Sequence, residues 1–300
     1  MHGVRYYVSC ISKMASREEM PMCRFCTQHG DGKVWYLEAE NYIADLESDL
    51  ARRGYLIDFV QRFDSMRSKA LVGARLLDIA PRPLREAATR RLEARQELHH
   101  FGQPVPIEEC ERIFSLATSI VRLPCVCRTA AGTPDDGVCL AVTVNPVDPT
   151  LAEAFKGFES GPGVPSIEHL TREQAIALLH DCEDRGLMHS VWTFLTPMIG
   201  AICNCDMASG CMAMKMTVGH DIKVMWRGEY VATLAEESCT ACGACVELCP
   251  FDAIELDRKT RRVTLRQEDC WGCGVCRAKC RPSAITLVPR ASVPQVAAVW

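Results

Sequence analysis

Cys239-Thr-Ala-Cys242-Gly-Ala-Cys245-Val-Glu-Leu-Cys249-Pro250 is followed by Cys270-Trp-Gly-Cys273-Gly-Val-Cys276-Arg-Ala-Lys-Cys280-Arg281, and the relation between the two stretches decides the architecture. Shifting the chain by 31 residues superposes Cys239, Cys242, Gly243, Cys245, Cys249, Ala253 and Ile254 on Cys270, Cys273, Gly274, Cys276, Cys280, Ala284 and Ile285. Seven identities at one offset describe a duplicated unit, and a repeat fixes architecture before any propensity argument does.

The spacing carries chemistry of its own. Three thiolates at two-residue steps can wrap one face of an iron–sulfide cube, while Gly243 and Gly274 let backbone approach the inorganic sulfur. A cube needs a fourth thiolate. Zinc also takes four thiolates, but its pairs are normally separated by a long loop rather than run as three consecutive steps.

On these residues, the chain over roughly 234–288 resembles the dicluster bacterial-type ferredoxins. The resemblance implies two 4Fe-4S clusters, each cycling by one electron, in a small α+β fold with short strands near 253–256 and 284–287. In it each distal cysteine serves the neighbouring cluster. Cys239, Cys242, Cys245 and Cys280 would hold one, and Cys270, Cys273, Cys276 and Cys249 the other. One departure is visible: Arg281 stands between Cys280 and Pro282, whereas Pro250 directly follows Cys249. The count to Ala284 is unchanged, so ligation is expected to survive and Arg281 to alter the local field. Residues 234–290 hold eight acids against nine bases, unlike the acidic surface implied for a freely diffusing ferredoxin, and this favours a module fixed beside its redox partner.

The 300 residues divide into a helix-rich domain over 1–233 with an additional iron–sulfur site, the ferredoxin-like domain over 234–290, and an apolar tail over 291–300. The expected fold class is α+β, a mainly helical cysteine-rich N-terminal domain followed by the dicluster domain. Apolar residues at 48% and charged residues at 24% describe a globular chain. With 34 Lys plus Arg against 38 Asp plus Glu, there is no basic surplus to attract nucleic acid. Nineteen cysteines in a chain this long point to metal rather than to a small disulfide scaffold. Residues 1–20 lack the pattern of a secretory signal, so a cytoplasmic protein is expected. The most apolar stretch, 190–203, is shorter than the roughly 20 residues of a membrane span and is broken by Pro197 and Gly200.

Helical periodicity appears at Tyr42, Ile43, Leu46 and Leu50, ahead of Gly54, and again from Ile107 to Val121 after Pro106. Mixed charges over 83–100 read as a solvated helix face. Alternation predicts a strand over 136–144, and Thr171 with Gln174 a capping-box helix that ends near Gly186. Strands over 222–226 and 229–234 are expected to form a hairpin, and the tail to fold back on the body or meet a partner.

A second cysteine set comprises Cys125-Val-Cys127-Arg128, Cys139, Cys203-Asn-Cys205 and Cys211. In extended backbone each doublet points both thiols to one side, and core packing gives no reason for this to occur twice. Ligation is the better reading, with these loops converging on at least one further 4Fe-4S cluster and Arg128 and Asn204 donating to sulfur. Pro124-Cys-x-Cys-Arg, a lone Cys, Gly186-Leu-Met-His189 and Ile202-Cys-Asn-Cys resemble the N-terminal region of larger multicluster ferredoxin-like proteins of anaerobes. Some of those carry more cysteines where this chain has Asp206, so one cubane from four of the six thiols, two clusters, and a zinc site stay open. Cys23-Arg-Phe-Cys26, with Cys10 and His29, reads equally as a metal knuckle or as reduced thiols in a loop. Cys110, Cys182, Trp192 and Met198 read as core, and His189 as a packed histidine or as a ligand or proton donor.

Nucleotide, phosphate-loop, serine-hydrolase and zinc-protease motifs are missing, and a flavin, whose sites are diffuse, stays open. The expected function is single-electron relay as a subunit or dedicated partner of an anaerobic oxidoreductase. The alternatives are a catalytic reductase with substrate near Cys203, Cys205 and Cys211, and a reductive activator of another metalloprotein.

Overall fold

A computed structural model describes residues 29–30, 33–42, 50–133, 137–143, 153–156 and 167–299. Cys10, Cys23 and Cys26 lie outside them. A two-residue strand pair (His29–Gly30 with Lys33–Val34) and two 3-10 turns (Trp35–Leu37 and Ala39–Tyr42) precede three helices: α1 (Leu50–Gln61), α2 (Phe63–Asp78) and α3 (Arg82–His99). Of the periodic set Tyr42, Ile43, Leu46 and Leu50, Ile43 and Leu46 lie outside the described residues. α1 begins at Leu50 and runs through Gly54, where no atom lies within 4 Å of an added Cβ, so that glycine costs only helix propensity. α3 buries none of its residues, as its mixed charges predict.

Next come β1 (Gly102–Pro104), α4 (Ile107–Leu116), β2 (Ser119–Leu123), α5 (Val126–Ala131), β3 (Cys139–Thr143), β4 (Glu168–Leu170), α6 (Arg172–Asp184), β5 (Met188–Thr193) and β6 (Ile199–Cys205). Their strands form one antiparallel sheet of six in the order β1-β5-β6-β3-β2-β4. Alternation in the sequence predicts only β3 of these. Every residue of β5 is buried, so both its faces are covered and the alternation that marks a half-exposed strand is absent. One face, with Ile120, Leu140, Val191 and Ile202, packs on Cys110, Ile113, Ala175 and Leu179 of α4 and α6. Cys110 and Cys182 are fully buried. α6 starts at the expected capping box of Thr171 and Gln174, and Gly186 follows its end with φ +78°.

The C-terminal part comprises β7 (Tyr230–Leu234), α7 (Ala244–Leu248), β8 (Ile254–Asp257), β9 (Arg262–Leu265), α8 (Val275–Ala278) and β10 (Ile285–Pro289). The hairpin predicted over 222–226 and 229–234 does not form. Ile222, Met225 and Trp226 are buried as core residues, and β7 pairs antiparallel with β10 across the repeat. β8 and β9 make the second antiparallel pair. The tail folds back: Val293, Val296 and Val299 pack in the same core as Val231, Ile254 and Ile285. Arg277 pairs with Glu108 at 2.8 Å, Lys279 with Asp184 at 3.1 Å, and the Gly228 N–H donates to the Trp271 carbonyl at 2.9 Å, joining the two parts.

Candidate metal centres

β6 turns Cys203 and Cys205 to the sheet face opposite α4 and α6, and Ile202 and Asn204 to the near one, since alternate strand residues point oppositely. Cys139 opens β3, whose Leu140 and Ala141 pair with Ile202 and Ala201. Cys125 is the N-cap of α5 and Cys127 lies in its first turn, so this doublet is not extended as the sequence predicts. Cys211 caps the short helix Met212–Met214. Gly210 before it has φ +83°, and a Cβ there would stand 2.6 Å from that of Ala131, so glycine is what lets this segment close on α5.

The six thiols close a ring. Each hydrogen-bonds two others in the order Cys125, Cys127, Cys211, Cys205, Cys203, Cys139 and back to Cys125. The direction of the thiol shifts alternates around it. Accepting from two neighbours holds Cys125 and Cys211 well below the usual thiol range and brings Cys203 to about 6. Donating to two neighbours pushes Cys127, Cys139 and Cys205 up. Backbone N–H groups of Arg128 and Met214, at helix starts where such donors lack intrahelical partners, add to the lowering at Cys125 and Cys211. The ring borders a cavity of about 800 Å³ whose other walls come from α1, α2, α3 and β5.

In the C-terminal part, Cys239, Cys242, Cys245 and Cys280 line one small cavity with Leu234, Val263 and Ile285. Cys249, Cys270, Cys273 and Cys276 line a second with Ala232, Ile254 and Leu287. The chain threads both cavities alike. Ala241 and Gly272, Gly243 and Gly274, and Asp252 and Ser283, each pair 31 residues apart, all have positive φ. The N–H of Ala241 donates to Cys239 Sγ and that of Ala232 to Cys270 Sγ, both at 3.4 Å. Cys242 is exposed, whereas Cys270, Cys273 and Cys276 are buried, and burial pushes the Cys273 thiol up to about 12. Thiolates are the metal-binding form, so loading must release these protons. Four thiols, apolar walls and backbone donors suit an iron–sulfur cage. Among the described residues no three His, Cys, Asp or Glu side chains converge as they would on one metal ion.

Residues 238–284 match the family described as a 4Fe-4S dicluster domain. No curated protein matches the chain. The match establishes a ferredoxin-type domain at the C-terminal end and, with the cysteine content, an iron–sulfur protein of the electron-transfer kind. Among the described residues no helix is long and apolar enough to cross a membrane.

The dicluster domain meets the thiol ring through one apolar cluster that holds Cys205 and Cys211 of the ring, Cys273 of the buried cavity, and Met188, Met214, Met225 and Val275. Phe251 and Trp271 stack at its edge, 4.7 Å apart and 9° from parallel, with the Arg227 guanidinium 5.2 Å from the Trp271 ring centre.

Three sequence expectations are corrected. Asn204 donates to the Val138 carbonyl at 2.5 Å and accepts from His189 Nδ1 at 2.5 Å, on the sheet face away from the sulfurs, so it is no donor to them. Arg128 reaches Cys125 through its backbone N–H. His189 shares the Asn204 face and is not on the cavity wall, so a proton-donor role toward a substrate at the ring has no geometry behind it. Burial lowers its pKa to about 4, against the opposing pull of Asn204. Trp192 and Met198 are buried as expected but also line the cavity. Sequence reasoning misses His100, at the end of the 83–100 stretch read as a solvated helix face, and Arg67, which no motif marks; both line the cavity wall. It also misses Arg290, whose only local signal is a charge beside an apolar strand.

Proposed function

We propose that the chain relays single electrons through three iron–sulfur sites in series. Cys239, Cys242, Cys245 and Cys280 hold the outer cluster, Cys249, Cys270, Cys273 and Cys276 the middle one, and the six-thiol ring of Cys125, Cys127, Cys139, Cys203, Cys205 and Cys211 the inner one. When bound, such clusters supply one-electron storage. The observation that carries the reading is the apolar cluster shared by Cys205, Cys211 and Cys273, which packs the ring and the middle site against one seam. Exposure of Cys242 makes the outer site the port toward a redox partner protein or the other subunits of an oxidoreductase.

The residues do the rest. Leu234, Val263 and Ile285 around the outer thiols, and Ala232, Ile254 and Leu287 around the middle ones, limit water access, which tunes potential. Anaerobic iron and sulfide analysis tests the proposal, with EPR after dithionite reduction. Eight irons belong to the dicluster domain and at least four to the ring, so about twelve or more per chain are expected. About eight, unchanged in a Cys203→Ser Cys205→Ser double variant, would remove the inner site.

A further inference from the structure

The cavity over the thiol ring is far larger than a cluster requires. The dicluster domain gives an internal measure, since each of its four-thiol cavities is about 20 Å³ against about 800 Å³ here. That volume falls in the range of small-molecule sites, which are concave, mostly apolar and fitted with a few polar groups. Phe59, Trp192 and Phe194 supply flat apolar walls. Phe59 and Phe194 meet edge to face at 5.5 Å, and His100 stacks on Trp192 at 4.8 Å.

The charge around this space is mainly positive. Arg62, Arg67, Lys69 and Arg95 line it against a single acid, Asp58, among the described residues. Asp58 is already paired with Arg62 at 3.3 Å. Arg67 reaches the Ala130 carbonyl of α5 at 3.4 Å through Nη1, while its buried Nε has no hydrogen-bond partner. Arg67 is half-buried and lines the cavity wall, so its guanidinium is a cation on an apolar surface where a charge-assisted bond to an anionic oxygen is strong.

We propose that this cavity binds a small planar aromatic carboxylate, its ring system against the wall formed by Phe59, His100, Trp192 and Phe194 and its carboxylate on Arg67, above the six-thiol ring. The proposal rests on the relay reading only in placing a cluster in that ring. It makes the inner end of the chain of sites a small-molecule chamber, with the protein partner at the other end.

Isothermal titration of the anaerobically reconstituted full chain with 2-naphthoate tests it, with 2-naphthamide as the neutral isostere and iron measured on each sample. Expected are saturable 1:1 binding of 2-naphthoate and binding of the amide at least about tenfold weaker, as removal of a charge-assisted bond requires. Arg67→Met should weaken 2-naphthoate by about tenfold and leave the amide unchanged. Ala70→Trp, which puts bulk on the α2 wall without touching a cysteine, should weaken both by at least about tenfold at unchanged iron content. Absence of saturable heat, equal affinity for acid and amide, or wild-type binding in Ala70→Trp would each overturn the chamber. Iron near eight with all the binding effects intact would count against the relay and support the chamber.

Discussion

Arg290 is fully buried beside the middle site, an unusual place for a charge. Its Nε donates to the Gly228 carbonyl at 2.8 Å, and its Nη2 to those of Tyr230 at 3.0 Å and Cys270 at 2.7 Å. Desolvation lowers its pKa only to about 10, so it is a cation at neutral pH. A fixed positive charge near a cluster favours the reduced form. At an effective dielectric of about 20 and a separation of about 8 Å the effect is roughly 2 kcal/mol. Arg290→Met should therefore lower the potential of the middle cluster by roughly 50–100 mV relative to the outer one, read by EPR-monitored redox titration. His189 gives a second test at this scale. Its folded pKa of about 4 lies below the ordinary 6.5, so the unfolded chain takes up a proton first as pH falls. Stability is whole above pH 6.5 and declines toward pH 4, by roughly 3 kcal/mol from this group. In His189→Gln the denaturation midpoint should fall less steeply across that interval, with iron content followed alongside.

The two halves of the repeat use matching elements, yet they do not tolerate the same change. A Cβ on Gly272 would stand 2.1 Å from the Tyr230 carbonyl oxygen, at φ +76°, where neither backbone can yield. On Gly243 it would meet only the Leu256 side chain at 3.2 Å, at φ +84°. Gly272→Ala should cost roughly 3 kcal/mol or more and strip the middle cluster, while Gly243→Ala should cost about 1–2 kcal/mol and keep its iron. Thermal unfolding with iron counts separates the two. The contrast also shows what a sequence can carry. Cys239 to Cys280 are legible because ligand geometry is local: each triplet lies within a few residues, and the 31-residue offset repeats the backbone with it. The capping box of Thr171 and Gln174 is legible for the same reason. The six-stranded sheet is not, since β5 is covered on both faces and the pairing of β5 with β6 is long-range. The thiol doublets signal a site, but only the pairing of β3 with β6 and the approach of Gly210 to Ala131 show that six sulfurs close one ring.

At the scale of the molecule, what matters is how firmly the dicluster domain is held against the ring. The Arg277–Glu108 and Lys279–Asp184 pairs lie partly in solvent and are worth at most about 1 kcal/mol each. Distance between the middle site and the ring is therefore set by the apolar cluster around Cys205, Cys211 and Cys273, with Trp271 and Phe251 closing its edge. Tunnelling falls steeply with separation and depends on packed atoms between donor and acceptor. A change that loosens this seam should thus slow transfer without removing a ligand. Trp271→Ala removes a half-buried indole next to Cys270 and should cost about 2–3 kcal/mol, below the range for a fully buried tryptophan. It should leave all thiols in place. After a pulse of photoreductant too small to reduce every site, freeze-quench EPR should show electrons retained in the dicluster domain and slow arrival at the ring, at wild-type iron content. Arg277→Gln, which removes a surface pair but no packing, should behave like the wild type. Equal arrival rates in Trp271→Ala and wild type would place the route between the domains somewhere other than this seam.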